Sequence, residues 1–149
     1  MTSLRDRITE DMKTAMRAQD KQKLGTIRLL QSAIKQQEVD NRITLDDTAI
    51  LAVVEKAIKQ RRESIKQYEI GGRADLVAVE QAELEVLQAY LPEQLGEAEL
   101  SALIVAAIAE TGAASVKDMG KVMNLLKPKV QGRCDMGAMS GLIKAKLGG

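Results

Sequence analysis

The sequence predicts an all-α protein in two helical subdomains: about four helices in residues 1–91 and a three-helix bundle in residues 92–149. Three observations carry this. Apolar residues recur at helical spacing almost throughout, and no stretch alternates as a strand does. The apolar content comes from leucine, isoleucine, valine, alanine and methionine, with two tyrosines and neither phenylalanine nor tryptophan. One break, "YLPEQLGEAEL" at 90–100, interrupts the pattern: Pro92 disfavours helix at Leu91, and Gly96 opens a new helix with Glu97 and Glu99 in its first turn.

Taken in order, Leu4, Ile8, Met12 and Ala15 line one face of a first helix, with Ser3 as its N-cap and Asp6 three residues on. Asp20 caps a second helix that runs through Ile27, Leu30 and Ile34, and "QEVDNRIT" reads as a connection. Thr44, with Asp46 and Asp47, opens a long third helix, because acidic residues suit the positive end of the helix dipole. Val54, Ile58, Ile65 and Tyr68 form its apolar stripe, and the glycines at 71 and 72 stop it. Arg61 falls in line with that stripe, which places it at the core edge or against a carboxylate. A fourth helix runs from about Asp75 to Tyr90.

Beyond the break, Leu100, Leu103, Ile104, Ala107 and Ile108 form an i, i+3, i+4, i+7, i+8 stripe that Gly112 ends. Ser115 and Asp118 then cap a shorter helix with Val116, Met119, Met123 and Leu126, closed by Pro128. Asp135 caps the last helix, which carries Met139, Leu142, Ile143 and Leu147.

At 149 residues and a formal net charge of +1, the chain has no strong overall bias toward nucleic acid or membrane. The charge is unevenly spread, however. Residues 92–111 carry Glu93, Glu97, Glu99 and Glu110 without a base. From 112 onward Lys117, Lys121, Lys127, Lys129, Arg133, Lys144 and Lys146 face only Asp118 and Asp135.

Several absences narrow the chemistry. Without histidine, the usual acid–base residue and the commonest transition-metal ligand are missing. Cys134 is the single cysteine, so no intramolecular disulfide or cysteine-rich zinc site is expected, and nothing beside it would activate a thiolate. Glu83 and Glu85 lie two apart, on different helix faces, and read as solvated charges rather than an acid–base pair. The expectation is no catalytic residue, no metal and no cofactor. The opening "MTSLRDRITEDMK" is no secretory signal, and the longest apolar run, "ALIVAAIA", is too short to span a bilayer. A cytoplasmic protein without a membrane partner is the resulting expectation.

Two basic features remain. Lys56, Lys59, Arg62 and Lys66 lie beside the apolar face of the third helix and read as a solvated face balanced by Glu55 and Glu63. The segment "KDMGKVMNLLKPKVQGRCD" at 117–135 is more specific. Gly120 interrupts a helical pattern at a cost of roughly 1 kcal/mol relative to alanine, and such a glycine marks close approach of a helix or a ligand. Lysines, an open backbone and the following Gly132–Arg133 turn before a helix N-terminus are compatible with a phosphate surface. Tight helix packing at Gly120 with ordinary surface lysines is equally compatible.

The segments "YLPEQL", "GAASVKDMGKVMNLLKPKVQGRCD" and "LIKAKL", with "DMKTAMRAQDKQKLGTIRLLQSAIK" and "QRRESIKQY" earlier, resemble the GatB/YqeY family over nearly the whole chain. Leu91, Pro92, Gly120, Met123, Pro128, Gly132 and Asp135 lie within that joined pattern. The resemblance implies an all-α protein similar to the C-terminal tail domain of the B subunit of the tRNA-dependent amidotransferase. That enzyme amidates Glu-tRNA(Gln) or Asp-tRNA(Asn) with glutamine-derived ammonia; its tail contacts tRNA, while the chemistry lies in a separate cradle domain for which this chain is too short. The chain departs from the family pattern at Cys134-Asp135-Met136, where a small residue, Asp and Gly commonly follow the arginine.

The leading expectation is therefore a non-catalytic tRNA-binding or tRNA-associated protein, an accessory in aminoacyl-tRNA metabolism. Lys117, Lys121, Lys127, Lys129 and Arg133 would meet phosphates, and Lys144 and Lys146 would extend the patch. Recognition would be by shape and backbone, since stacking aromatics are missing. The alternative is a protein–protein adaptor that docks a partner through the N-terminal helices, and glutamine-dependent carbon–nitrogen ligation ranks last. Oligomeric state is not legible in the sequence.

Overall fold

The computed structural model describes residues 3–148, which form seven α-helices and no strand. The protein is all-α. Its chain parts after Leu91 into two compact units.

In the first unit, α1 (Leu4–Arg17), α2 (Lys21–Asn41), α3 (Asp47–Ile70) and α4 (Ala74–Gln88) enclose one core. Ile8, Ile27, Ile50, Val54, Ile58 and Leu87 are at its centre. Ser3 and Asp20 cap α1 and α2 as their positions predict, accepting from the backbone N–H of Asp6 and Lys23. Three boundaries differ from expectation. Residues 37–41 are helical rather than a connection, because the bonds that Glu38 makes keep α2 wound. Its carboxylate accepts from the Leu45 N–H at 2.8 Å and from the Arg5 guanidinium at 2.6 Å, tying the α2–α3 connection to α1. The cap of α3 is Asp46, accepting from Ala49 N–H, and Thr44 stands outside the helix. Asp47 instead accepts from the Leu4 N–H at 3.1 Å. Finally, α4 ends at Gln88, and Tyr90 turns into the core, where its hydroxyl donates to Asp11 at 2.6 Å.

Arg61 lies at the core edge and pairs with Glu83 at 3.2 Å, with the two side chains 17% and 20% exposed. Glu83 is thus held in a partly buried ion pair rather than solvated. Burial and the hydrogen bond to Asp11 push the Tyr90 phenol well above its ordinary range. Arg7 stacks over the same ring, 5.0 Å from its centroid.

In the second unit, α5 (Glu97–Thr111), α6 (Met119–Val130) and α7 (Met136–Lys146) pack around Ile104, Val122, Leu126, Val130, Met139 and Ile143. Gly112, at φ +68°, terminates α5 in the left-handed region that glycine enters without strain. Two expectations fail here. Ser115 makes no capping hydrogen bond; residues 116–118 form a 3-10 turn, and Asp118 reaches back to the Ala114 N–H at 3.0 Å. Nor does Pro128 close α6, which continues to Val130. Its ring is exposed, the helix loses only the bond that residue 128 would have given to the Asn124 carbonyl, and the Gln131 N–H still bonds Lys127 at 3.1 Å. Among the described residues, no single helix is long and apolar enough to cross a membrane.

Candidate nucleic-acid interface

The basic segment is built by α6 and its flanks. Val122, Leu126 and Val130 recur every four residues and are buried. The opposite face therefore turns outward: Gly120, Lys121, Asn124, Lys127 and Pro128 are all exposed, with Lys117 exposed in the turn just before. Asp118 lies beside this stripe. Its carboxyl lies below the usual range because it accepts from the Ala114 backbone, and Lys121 stands 4.0 Å away.

Gly120 does not serve helix packing. A Cβ there would meet no atom within 4 Å, so the close-packing explanation drawn from sequence fails within the chain. The glycine instead leaves a bare patch of helix backbone between Lys117 and Lys121.

The remaining cations divide by their surroundings. Lys127 and Lys129 occupy the last turn of α6, and Lys144 and Lys146 that of α7. Helix C-termini attract cations in any soluble protein, so folding alone accounts for these four. Lys117 and Lys121 lie instead at the start of α6, where Lys121 makes a long contact of 4.0 Å to Asp118. Arg133 is engaged within the fold, where its Nε donates to the Glu93 carbonyl at 3.1 Å, so that nitrogen is not available to a phosphate.

That bond belongs to a clamp which sequence reasoning missed. The Gln94 side chain donates to the Gly132 carbonyl at 2.6 Å, and the Leu95 N–H donates to the Arg133 carbonyl at 2.8 Å. Gly132 is buried at φ +73°, a conformation in which a Cβ would be strained. The Leu-Pro-Glu-Gln-Leu and Gly-Arg motifs, forty residues apart, are therefore one structural device. Asp135 caps α7 through the Gly137 N–H, as expected, and Met136 packs half-buried against the second core. Met123 is also half-buried there, with the Ser140 hydroxyl 3.8 Å from its sulfur. Cys134 packs against the same core.

Among the described residues, no three histidine, cysteine, aspartate or glutamate side chains gather as a metal would need. The fold and its basic face thus define a two-unit helical protein with a cationic, glycine-opened helix on its second unit. Residues 5–147 match the family model described as "Yqey-like protein", and the chain belongs to that family.

Three curated relatives carry the name "Altered inheritance of mitochondria protein 41, mitochondrial". The one from Pyrenophora tritici-repentis is 36% identical over 126 residues, which cover 81% of this chain and 70% of that protein. The one from Eremothecium gossypii is 44% identical over 85 residues, 56% of this chain and 46% of that protein. The one from Lachancea thermotolerans is 37% identical over 100 residues, 65% of this chain and 54% of that protein. The chain thus spans about half the length of the latter two.

These names overturn the expectation of a cytoplasmic protein, since the relatives are named as mitochondrial. That expectation rested on the lack of a secretory signal and of an apolar span. Those features test for export and membrane insertion, not for residence in an organelle.

Proposed function

We propose that this protein is a non-catalytic, tRNA-associated member of its family which meets RNA through the exposed face of α6. The observation that carries the reading is the Lys117–Gly120–Lys121 arrangement: an exposed glycine in the first turn of α6 with no packing role, between two exposed lysines. A bare helix surface flanked by ammonium groups accommodates a phosphodiester backbone closely. Asn124 and Lys127 continue the same face. Without stacking aromatics on it, the face reads backbone shape rather than base sequence.

The test is binding of the purified protein to unmodified tRNA across a salt series, with an RNA duplex of equal length as control. Each phosphate contact contributes a slope of roughly −0.7 to −0.9 in log K against log salt. The wild type should prefer tRNA, and Lys117→Ala with Lys121→Ala should flatten the slope by about two contacts. No binding at low salt ends the reading.

A second reading, a protein adaptor, is favoured by a groove of about 620 Å³ between α2 and α3. Its walls carry Gln36, Gln37, Asn41, Lys56 and Gln60, side chains able to bond a polypeptide backbone. Retention of one specific protein by ribonuclease-treated wild type, lost on changing Gln37 and Gln60 to Ala, would establish it.

A further inference from the structure

A cleft between α1 and α2 has features that packing leaves unexplained. It encloses about 230 Å³, less than the roughly 300–1,000 Å³ of pockets for drug-sized ligands, and so suits a small molecule. Its floor is apolar: Ile8 of α1 and Ile34 of α2, both buried members of the first core. One end is closed by the Arg5–Glu38 ion pair at 2.6 Å, which the bond from the Leu45 N–H to Glu38 fastens to the α2–α3 connection. Thr9 leaves the space beside them. It is short and turned back on its own helix, where its hydroxyl donates to the Arg5 carbonyl at 3.0 Å.

Two polar groups on the wall are left unused. Gln31 is half-buried, yet its carboxamide makes no hydrogen bond to any described residue. Lys35 is exposed one turn further along α2 and forms no ion pair among the described residues. Four residues apart on a helix, the two side chains are neighbours and can address one ligand group together. Glu38 offers a single negative charge against Arg5 and Lys35, so the cleft is net positive.

These groups specify the ligand. An ammonium beside a carboxamide N–H is a donor pair for an anion, and the charged donor gives the stronger bond. The isoleucine floor has nothing to bond the far oxygens of a phosphate, whereas it takes a hydrocarbon readily. A carboxylate on a short apolar body meets both demands.

We propose that the α1–α2 cleft binds a small organic carboxylate, with its charged end between Gln31 and Lys35 and its hydrocarbon end on Ile8 and Ile34. The cleft belongs to the first unit, so the proposal is independent of the RNA face on the second.

The test is two-dimensional NMR of the isotope-labelled full chain, titrated at low salt with isovalerate. Two controls separate the parts of the recognition: isoamylamine has the same branched body with the opposite charge, and inorganic phosphate has negative charge without the body. Isovalerate should shift the amides of Thr9, Gln31 and Lys35 saturably, with a dissociation constant of about 1–10 mM, the range for so small a ligand. Neither control should saturate. Lys35→Ala, at an exposed position so that folding is spared, should weaken isovalerate binding about tenfold. Gln31→Leu, which keeps the bulk and removes the carboxamide, should weaken it several-fold, with the rest of each spectrum unchanged. No saturable shift with isovalerate, an equal response to either control, or an affinity unmoved by either substitution overturns the proposal.

Discussion

The side-chain amide of Gln94 donates to the carbonyl of Gly132 at 2.6 Å, joining the residues just after the interunit proline to the turn between α6 and α7. Gly132 stands at a left-handed φ of +73°. Replacing Gly132 with Ala should destabilise the second unit by about 1–2 kcal/mol, the cost of placing a Cβ in the left-handed region. Chemical denaturation checks this. The loss should fall on the second unit's transition if the two units unfold separately.

Gly120 makes the opposite prediction. Because it is exposed in the first turn of α6 and a Cβ there meets nothing, Gly120→Ala should stabilise the unit by less than the ~1 kcal/mol it would give in a helix interior. If the proposed RNA face is correct, the same change should weaken tRNA binding, since the methyl group intrudes where a phosphate backbone approaches. A variant that melts higher and binds equally well would separate Gly120 from the interface.

Glu38 gives the first unit an acid-sensitive point. The Leu45 N–H, and then the Arg5 guanidinium, hold its carboxyl below the ordinary value of 4.5. A lowered folded value means stability that is fully present above about 4.5 and is lost as pH falls through the folded value. Glu38→Gln should lower stability at pH 7 and flatten its dependence on pH below 4.5, measured as urea midpoints from pH 7 to 3.

Tyr90 anchors the end of the first unit. Tyr90→Phe removes the hydroxyl that donates to Asp11 and should cost about 1.5–3 kcal/mol, as the loss of a hydrogen bond to a carboxylate does. Arg7, which stacks on the ring, keeps that contact with phenylalanine. Thermal unfolding of Tyr90→Phe beside Asp11→Asn shows whether the two changes report one interaction.

Much of this fold was legible residue by residue. The stripes from Leu4 to Ala15 and from Leu100 to Ile108 place their helices, and Ser3, Asp20, Gly96, Gly112 and Asp135 mark their ends. Such signals are readable because caps and apolar faces depend on neighbours three or four positions away. The failures came where a distant group intervened. Residues 37–41 looked like a loop until Arg5 and Leu45 gave Glu38 its partners. Pro128 looked like a helix stop, yet at an exposed position near the helix end it forgoes only one hydrogen bond.

The candidate interface divides in the same way. Clustering of lysines after residue 112 is a property of the sequence by itself, as are the all-α class and the break at Pro92. Only the tertiary structure decided which of those cations are accounted for by folding. It assigned Arg133 to Glu93, showed that Gly120 packs against nothing, and brought Gln94 to Gly132. The physical reason is range: helical periodicity and capping are written in neighbouring residues, whereas a partner forty positions away becomes visible only when the chain has folded back on itself.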